Sequence, residues 1–125
     1  MATGIMKKIR LNLARNADYP NGSAQHGYEF VAPLNEEGFI DAESWRANRD
    51  PCRVRRFWEG EDDDHGHLVH RPGGSWAFTY DIDGEEDVEA GYRFGKHVFV
   101  PGEYVSIKDE DGELLTFQVS TVETV

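Results

Sequence analysis

From Glu61 to His70 the chain reads EDDDHGHLVH. Carboxylates and imidazoles this close together are the donor types that a zinc or other divalent transition-metal site needs. Asp62, Asp64, His65 and His67 are the ligands such a site would draw on. A regular strand limits the set, because residues three apart face opposite ways, so His67 and His70 share an ion only across a bulge. His26 and His97 lie elsewhere, at no spacing that fixes either as a further ligand. The competing reading is a solvated acidic loop followed by ordinary histidines.

Arg71, Trp76 and Tyr80 form a second constellation. Trp76, Phe78 and Tyr80 recur at strand spacing, and with Trp45, Phe57 and Trp58 they would line a small-ligand pocket if that face were open. An apolar stripe of this kind is also what a packed core requires. Arg71 beside Trp76 suits a cation–π contact. Arg46, Arg49, Arg53, Arg55, Arg56 and Arg71 would form an anion-binding patch if gathered in space, since guanidinium groups recognise carboxylate and phosphate bidentately. The alternative is that they pair with this chain's own Asp and Glu. Cys52 sits among arginines that would favour its thiolate if it were exposed, and as a buried side chain it would be inert.

Two glycine turns, Asp81-Ile82-Asp83-Gly84 and Asp109-Glu110-Asp111-Gly112, resemble fragments of calcium loops. Both lack the opening Asp and the closing bidentate Glu, so they read as hairpin turns. No complete nucleophile–base arrangement and no cofactor fingerprint is present.

The formal charge of -11 over 125 residues argues against nucleic-acid binding and against docking on anionic membrane. It favours a cationic partner or a divalent metal. A single cysteine excludes an internal disulfide and a cysteine-rich zinc site. No apolar run reaches spanning length and the N-terminus has no signal-peptide core, so a cytoplasmic location is expected. The length fits one domain over 1–125, with residues 1–6 loose.

Strands must position these groups. The stretch Phe94–Val119 reads as three strands. Val98 and Val100 precede a turn at Pro101-Gly102, Val105 and Ile107 share a face, and Leu115, Phe117 and Val119 return after Gly112. Lys7–Leu13 alternates Ile9, Leu11 and Leu13 with polar residues. Asn16–Gln25 is a loop, and Tyr28 and Phe30 start a strand that Pro33 should stop. Asp41 suits the N-cap of a helix over Ala42–Arg49, with Ile40 and Trp45 as its hydrophobic staple. Cys52–Trp58 reads as a strand with no cleanly apolar face. A hairpin about Gly73-Gly74 would pair Arg71 with Trp76, Val69 with Phe78 and His67 with Tyr80. Asp81–Glu89 reads as an acidic loop. The sum is a mainly β domain, a small antiparallel barrel or roll of about seven short strands with one short helix.

Phe99-Val100-Pro101-Gly102-Glu103-Tyr104-Val105-Ser106-Ile107 is similar to the strand before the flavin site of ferredoxin-reductase-type barrels, but the Arg-x-Tyr-Ser motif of that family is absent. His65-Gly66-His67 resembles the histidine pair of cupins, where Arg71, Pro72 and Gly73 stand in place of the expected Glu. As a whole, Lys7 to about Val122 resembles a group of small bacterial single-domain proteins with no assigned activity. The residues that carry this are His26-Gly27-Tyr28-Glu29-Phe30, Cys52-Arg53-Val54-Arg55-Arg56-Phe57-Trp58, Gly66-His67-Leu68-Val69-His70 and Pro101–Ile107. That resemblance implies no catalytic residues.

The expectation is therefore a non-enzymatic binding or interaction domain, with a protein or small molecule as partner and no cofactor. The alternatives are a metal-binding protein using the 62–70 cluster and a ligand-binding or enzymatic barrel using Arg71, Trp76 and Tyr80.

Overall fold

The computed structural model describes residues 4–71, 75–82, 85–92, 94, 97–108 and 113–125, with backbone alone over 81–92. Eight strands follow in order: β1 (Ile5–Leu13), β2 (Ser23–Leu34), β3 (Arg53–Trp58), β4 (Asp64–His70), β5 (Trp76–Ile82), β6 (Glu85–Tyr92), β7 (Tyr104–Lys108) and β8 (Leu114–Thr124). One helix, α1 (Ala42–Ala47), lies between β2 and β3. Each strand pairs antiparallel with the next, and β8 returns to β1, which closes the sheet into an up-and-down barrel.

The alternation read in β1 is kept: Ile9, Leu11 and Leu13 are buried, as are Val105 and Ile107 of β7 and Phe117 and Val119 of β8. The turn at Pro101-Gly102 is present, with Gly102 at φ 95 and the Glu103 amide donating to the Val100 carbonyl. Register shifts between Arg10 and Leu11 against β8, and between Asn12 and Leu13 against β2, bend β1 where the wall must curve.

Four expectations need correction. Glu85–Tyr92 is a strand, not part of an acidic loop. It pairs with β5 on one side and β7 on the other, and cross-strand pairing overrides its poor intrinsic preference. Residues 98–100 are not a strand; instead Phe94 and Phe99 are buried among Phe30 and Phe78.

Pro33 does not stop β2, which runs on to Leu34. Pairing with β3 ends at Phe30, and the Pro33 carbonyl accepts instead from the Asp41 amide. The missing N–H therefore faces a side where no ladder is formed.

The β4–β5 hairpin is one residue out of the expected register, pairing His70 with Trp76, Leu68 with Phe78 and Gly66 with Tyr80. A one-residue slip exchanges the two faces of a strand, and this one carries Leu68 into the core.

Aromatic rings fill the interior. Tyr28 contacts Phe117 and Phe78 at centroid distances of 5.1 and 5.4 Å, and Phe78 contacts Phe30 at 5.2 Å. Phe94 and Phe99 continue the column, 5.3 Å apart. An eight-stranded barrel is just wide enough for side chains to fill, and these do so.

α1 closes one end. Asp41 caps it by accepting from the amides of Glu43 and Ser44, and Ile40 and Trp45 are both buried. The Trp45 indole N–H donates to the Leu68 carbonyl at 2.9 Å, and its ring meets Trp76 edge-on. At the other end the His26 ring meets Tyr19 at a tilt and Trp58 edge-on, and Arg56 lies over Trp58 while pairing with Glu61 and Asp64.

Candidate functional site

Among the described residues the interior is packed with apolar side chains, and ion pairs gather on the outer face of the barrel. The outer face of β1–β4 can be read as cross-strand rows. Arg10, Glu29, Arg55 and His65 stand side by side in one row, by the pairings Arg10–Glu29, Glu29–Arg55 and Arg55–His65. The next row begins with Lys8 opposite Val31 and ends with Arg53 opposite His67. A third row holds Asn12, Gly27 and Phe57.

Alternation dictates this arrangement. Ile9 and Leu11, Tyr28 and Phe30, and Val54 point inward, so their neighbours must point out.

Glu29 is the hub of the first row. Its carboxylate lies 3.4 Å from Lys8 Nζ, 3.6 Å from Arg55 Nη2 and 4.0 Å from Arg10 Nη1. Arg55 also reaches Asp63 at 2.9 Å. Arg10 is pinned further: its Nε donates to Asn12 Oδ1 and its Nη2 to the Ala24 carbonyl. The guanidinium groups of Arg10 and Arg55 both lie over the Phe57 ring, 4.5 and 5.0 Å from its centroid. Gly27 makes room for that ring, since a Cβ there would overlap the Leu11 carbonyl and stand 3.2 Å from Phe57 Cζ.

A cleft of about 180 Å³ opens where β2 and β3 part, lined by Lys8, Glu29, Val31, Arg53, Arg55 and His65 among others. Arg53 is exposed and forms no ion pair among the described residues. Two further grooves lie outside the barrel. One of about 420 Å³ follows Arg10, Phe57 and the 59–63 turn, and one of about 640 Å³ runs between Arg15, Asn21, Tyr104 and Gln118.

The residues singled out from the sequence fall as follows. His65 and His67 share the outer face of β4, whereas Asp64 lies on the opposite parity and pairs with Arg56, and Asp62 is exposed in the turn. Among the described residues no three His, Cys, Asp or Glu are grouped so as to hold a metal ion. Asp83, Gly84 and 109–112, which carry the two calcium-like turns, lie outside the described residues, as do 72–74 of the Gly73-Gly74 turn.

Trp76 and Tyr80 do not line an open pocket: they are 3% and 7% exposed in the packed core, and Arg71 is exposed and not part of it. His70, rather than Arg71, stacks on Trp76, at 4.2 Å. The arginines do not gather into one patch. Arg49 covers Trp45, Arg56 closes a barrel end, and only Arg53 and Arg55 stand on the wall. Cys52 is fully buried, its thiol donating to the Asn48 carbonyl, and burial pushes its pKa up from 9.0 to about 11.

His26 had no assigned place in the sequence reading and proves to be buried, with Ser23 Oγ 2.6 Å from Nδ1 and Tyr19 Oη 3.2 Å from Nε2. Both ring nitrogens are thus satisfied by hydroxyls, which makes it a polar plug in the barrel end.

Lys8, Arg10 and Glu29 were also missed. Their signal was present: each occupies the wet position of an alternating strand, and only pairing brings the three strands together. The chain gave no match to a family model, a curated protein or a solved structure. Among the described residues no helix is long and apolar enough to cross a membrane.

Proposed function

We propose that this chain is a non-enzymatic binding domain that recognises its partner on the outer wall of β1–β4. The observation that carries the reading is the contrast between interior and exterior. Phe30, Phe78, Phe94, Phe99 and Phe117 occupy the space in which a barrel of this size would otherwise hold a ligand. Both ends are covered, by Trp45 at one and by Tyr19, His26 and Trp58 at the other. Among the described residues, the wall of β1–β4 bears arginine, lysine and histidine around a cleft, held in place by Glu29 and by Phe57. Arginine over an aromatic ring is a preorganised contact group, with less side-chain freedom to lose on association.

The test is amide chemical-shift mapping against a set of small soluble ligands that includes the apolar fluorophore ANS. Ligands that bind should move amides of β1–β4 and leave the Phe78 and Phe117 amides unmoved. A saturable shift of the core amides with ANS, or hits confined to β7–β8, would overturn the assignment.

A further inference from the structure

The two charged rows of the wall are built alike except at one position. In the first, a carboxylate stands between cations: Arg10, Glu29, Arg55. In the second, Lys8 and Arg53 line the same cleft, and β2 presents Val31 where the first row presents Glu29. We infer that the second row is completed by a bound ligand: the cleft between Lys8 and Arg53 takes the oxyanion of a small organic acid, a carboxylate or a phosphate monoester carried on an apolar stem. This rests on the wall being the recognition surface.

Charge, space and floor agree. Glu29 is already shared among Lys8, Arg10 and Arg55, and Arg55 is further engaged by Asp63. Four cations thus face two carboxylates, and Arg53 lacks a carboxylate partner among the described residues. Glu123 stands opposite Lys8 on the β8 side without an ion pair to it among the described residues, and it does not line the cleft. The cleft holds about 180 Å³, below the span of about 300–1,000 Å³ common for drug-sized ligands, so it admits a single ring or short chain with its acid group. The cleft surface is more apolar than polar, and Val31 is the outward-facing apolar side chain in it, surface that a fully polar anion would leave unused. A guanidinium offers paired donors to either acid, whereas the Lys8 ammonium supplies a point charge.

The probes are sodium benzoate and phenyl phosphate, with benzamide as the neutral control, titrated into the whole chain and followed by amide shifts. Saturable shifts at Lys8, Val31 and Arg53 are expected for at least one acid, weakened by added salt and absent with benzamide. Response to benzoate alone identifies a carboxylate site, and response to phenyl phosphate alone identifies a phosphoryl site. Arg53→Ala should weaken binding about tenfold or more, the loss expected for one charge-assisted hydrogen bond. Val31→Glu should abolish binding by supplying the carboxylate from the chain itself, with the amide spectrum otherwise that of the folded protein.

Equal binding of benzamide and benzoate, no shift with either acid, or full binding by the folded Val31→Glu protein would overturn the inference. If the acids fail while ANS leaves the core amides unmoved, the ligand class is wrong and the wall reading survives. If ANS moves the core amides, the wall reading itself fails.

Discussion

Cys52 shows how burial decides chemistry that sequence neighbours only suggest. Arg53, Arg55 and Arg56 follow it closely, yet the thiol is fully buried and its pKa rises to about 11 through desolvation. The thiolate, which is the nucleophile, is therefore scarce at neutral pH. Disulfide-exchange reagents should label native protein far more slowly than unfolded protein. The sign of the pH effect follows from the direction of the shift. A thiol whose folded pKa lies above its ordinary value stabilises the fold fully below that ordinary value, and this stability is lost as pH rises from about 9 towards 11. Two pKa units correspond to roughly 2–3 kcal/mol. Denaturant titrations of wild type and Cys52→Ala should therefore converge across that window. A difference between the two that stays constant from pH 7 to 11 would contradict the assignment. Gly66 makes a different kind of demand. A Cβ there would overlap the Thr79 carbonyl and come within 2.8 Å of Tyr80 Cα, backbone that cannot swing away. Gly66→Ala should cost about 1–3 kcal/mol or more in chemical denaturation. The sequence showed Gly66 only as a spacer between histidines, because the demand comes from β5.

At the scale of elements, local chemistry was legible and long-range pairing was not. The Asp41 cap, the Ile40–Trp45 staple and the alternation of β1, β7 and β8 could each be read within about ten residues. Asp41→Ala should cost about 1 kcal/mol, the usual loss for a helix N-cap. Trp45→Ala should cost about 3–5 kcal/mol, since it removes a buried ring as well as the donor to Leu68. Thermal unfolding measures both, and equal effects would mean that α1 is held by its cap rather than as a cover for the barrel. The β4–β5 register was read one residue out, because a turn centred on Gly73-Gly74 sets Arg71 opposite Trp76 and nothing local opposes that pairing. Packing chose the register that buries Leu68. β6 was hidden for a related reason: Glu85, Glu86, Asp87 and Glu89 carry no apolar alternation, and only strands on both sides make a strand of them. The candidate site was half legible. Arg53 and Arg55 stood out as cations, but Lys8 and Glu29 join them only through the β1–β2 and β2–β3 ladders.

For the whole molecule, the β-barrel class was readable from composition and strand spacing, whereas closure was not, because the contact that closes it joins β1 to β8. Closure gives every strand two neighbours, and the buried side chains form one continuous cluster. Far-ultraviolet and near-ultraviolet circular dichroism should therefore lose signal in one coincident transition. Separate midpoints would mean that the end bearing α1 unfolds apart from the rest. The β1–β8 seam also has a bearing on time. β1 leaves the ribosome before β8, so one of its edges waits until Leu114–Thr124 has emerged. Until then it is an open template for any passing strand, and Lys7, Lys8 and Arg10 along it discourage such pairing by charge. Completing a contact so distant in sequence belongs to the slow class of β folding, roughly milliseconds to seconds. In pulse-labelled hydrogen exchange, the amides of β1 that bond to β8 should gain protection last, after the β2–β3 and β4–β5 hairpins are already shielded.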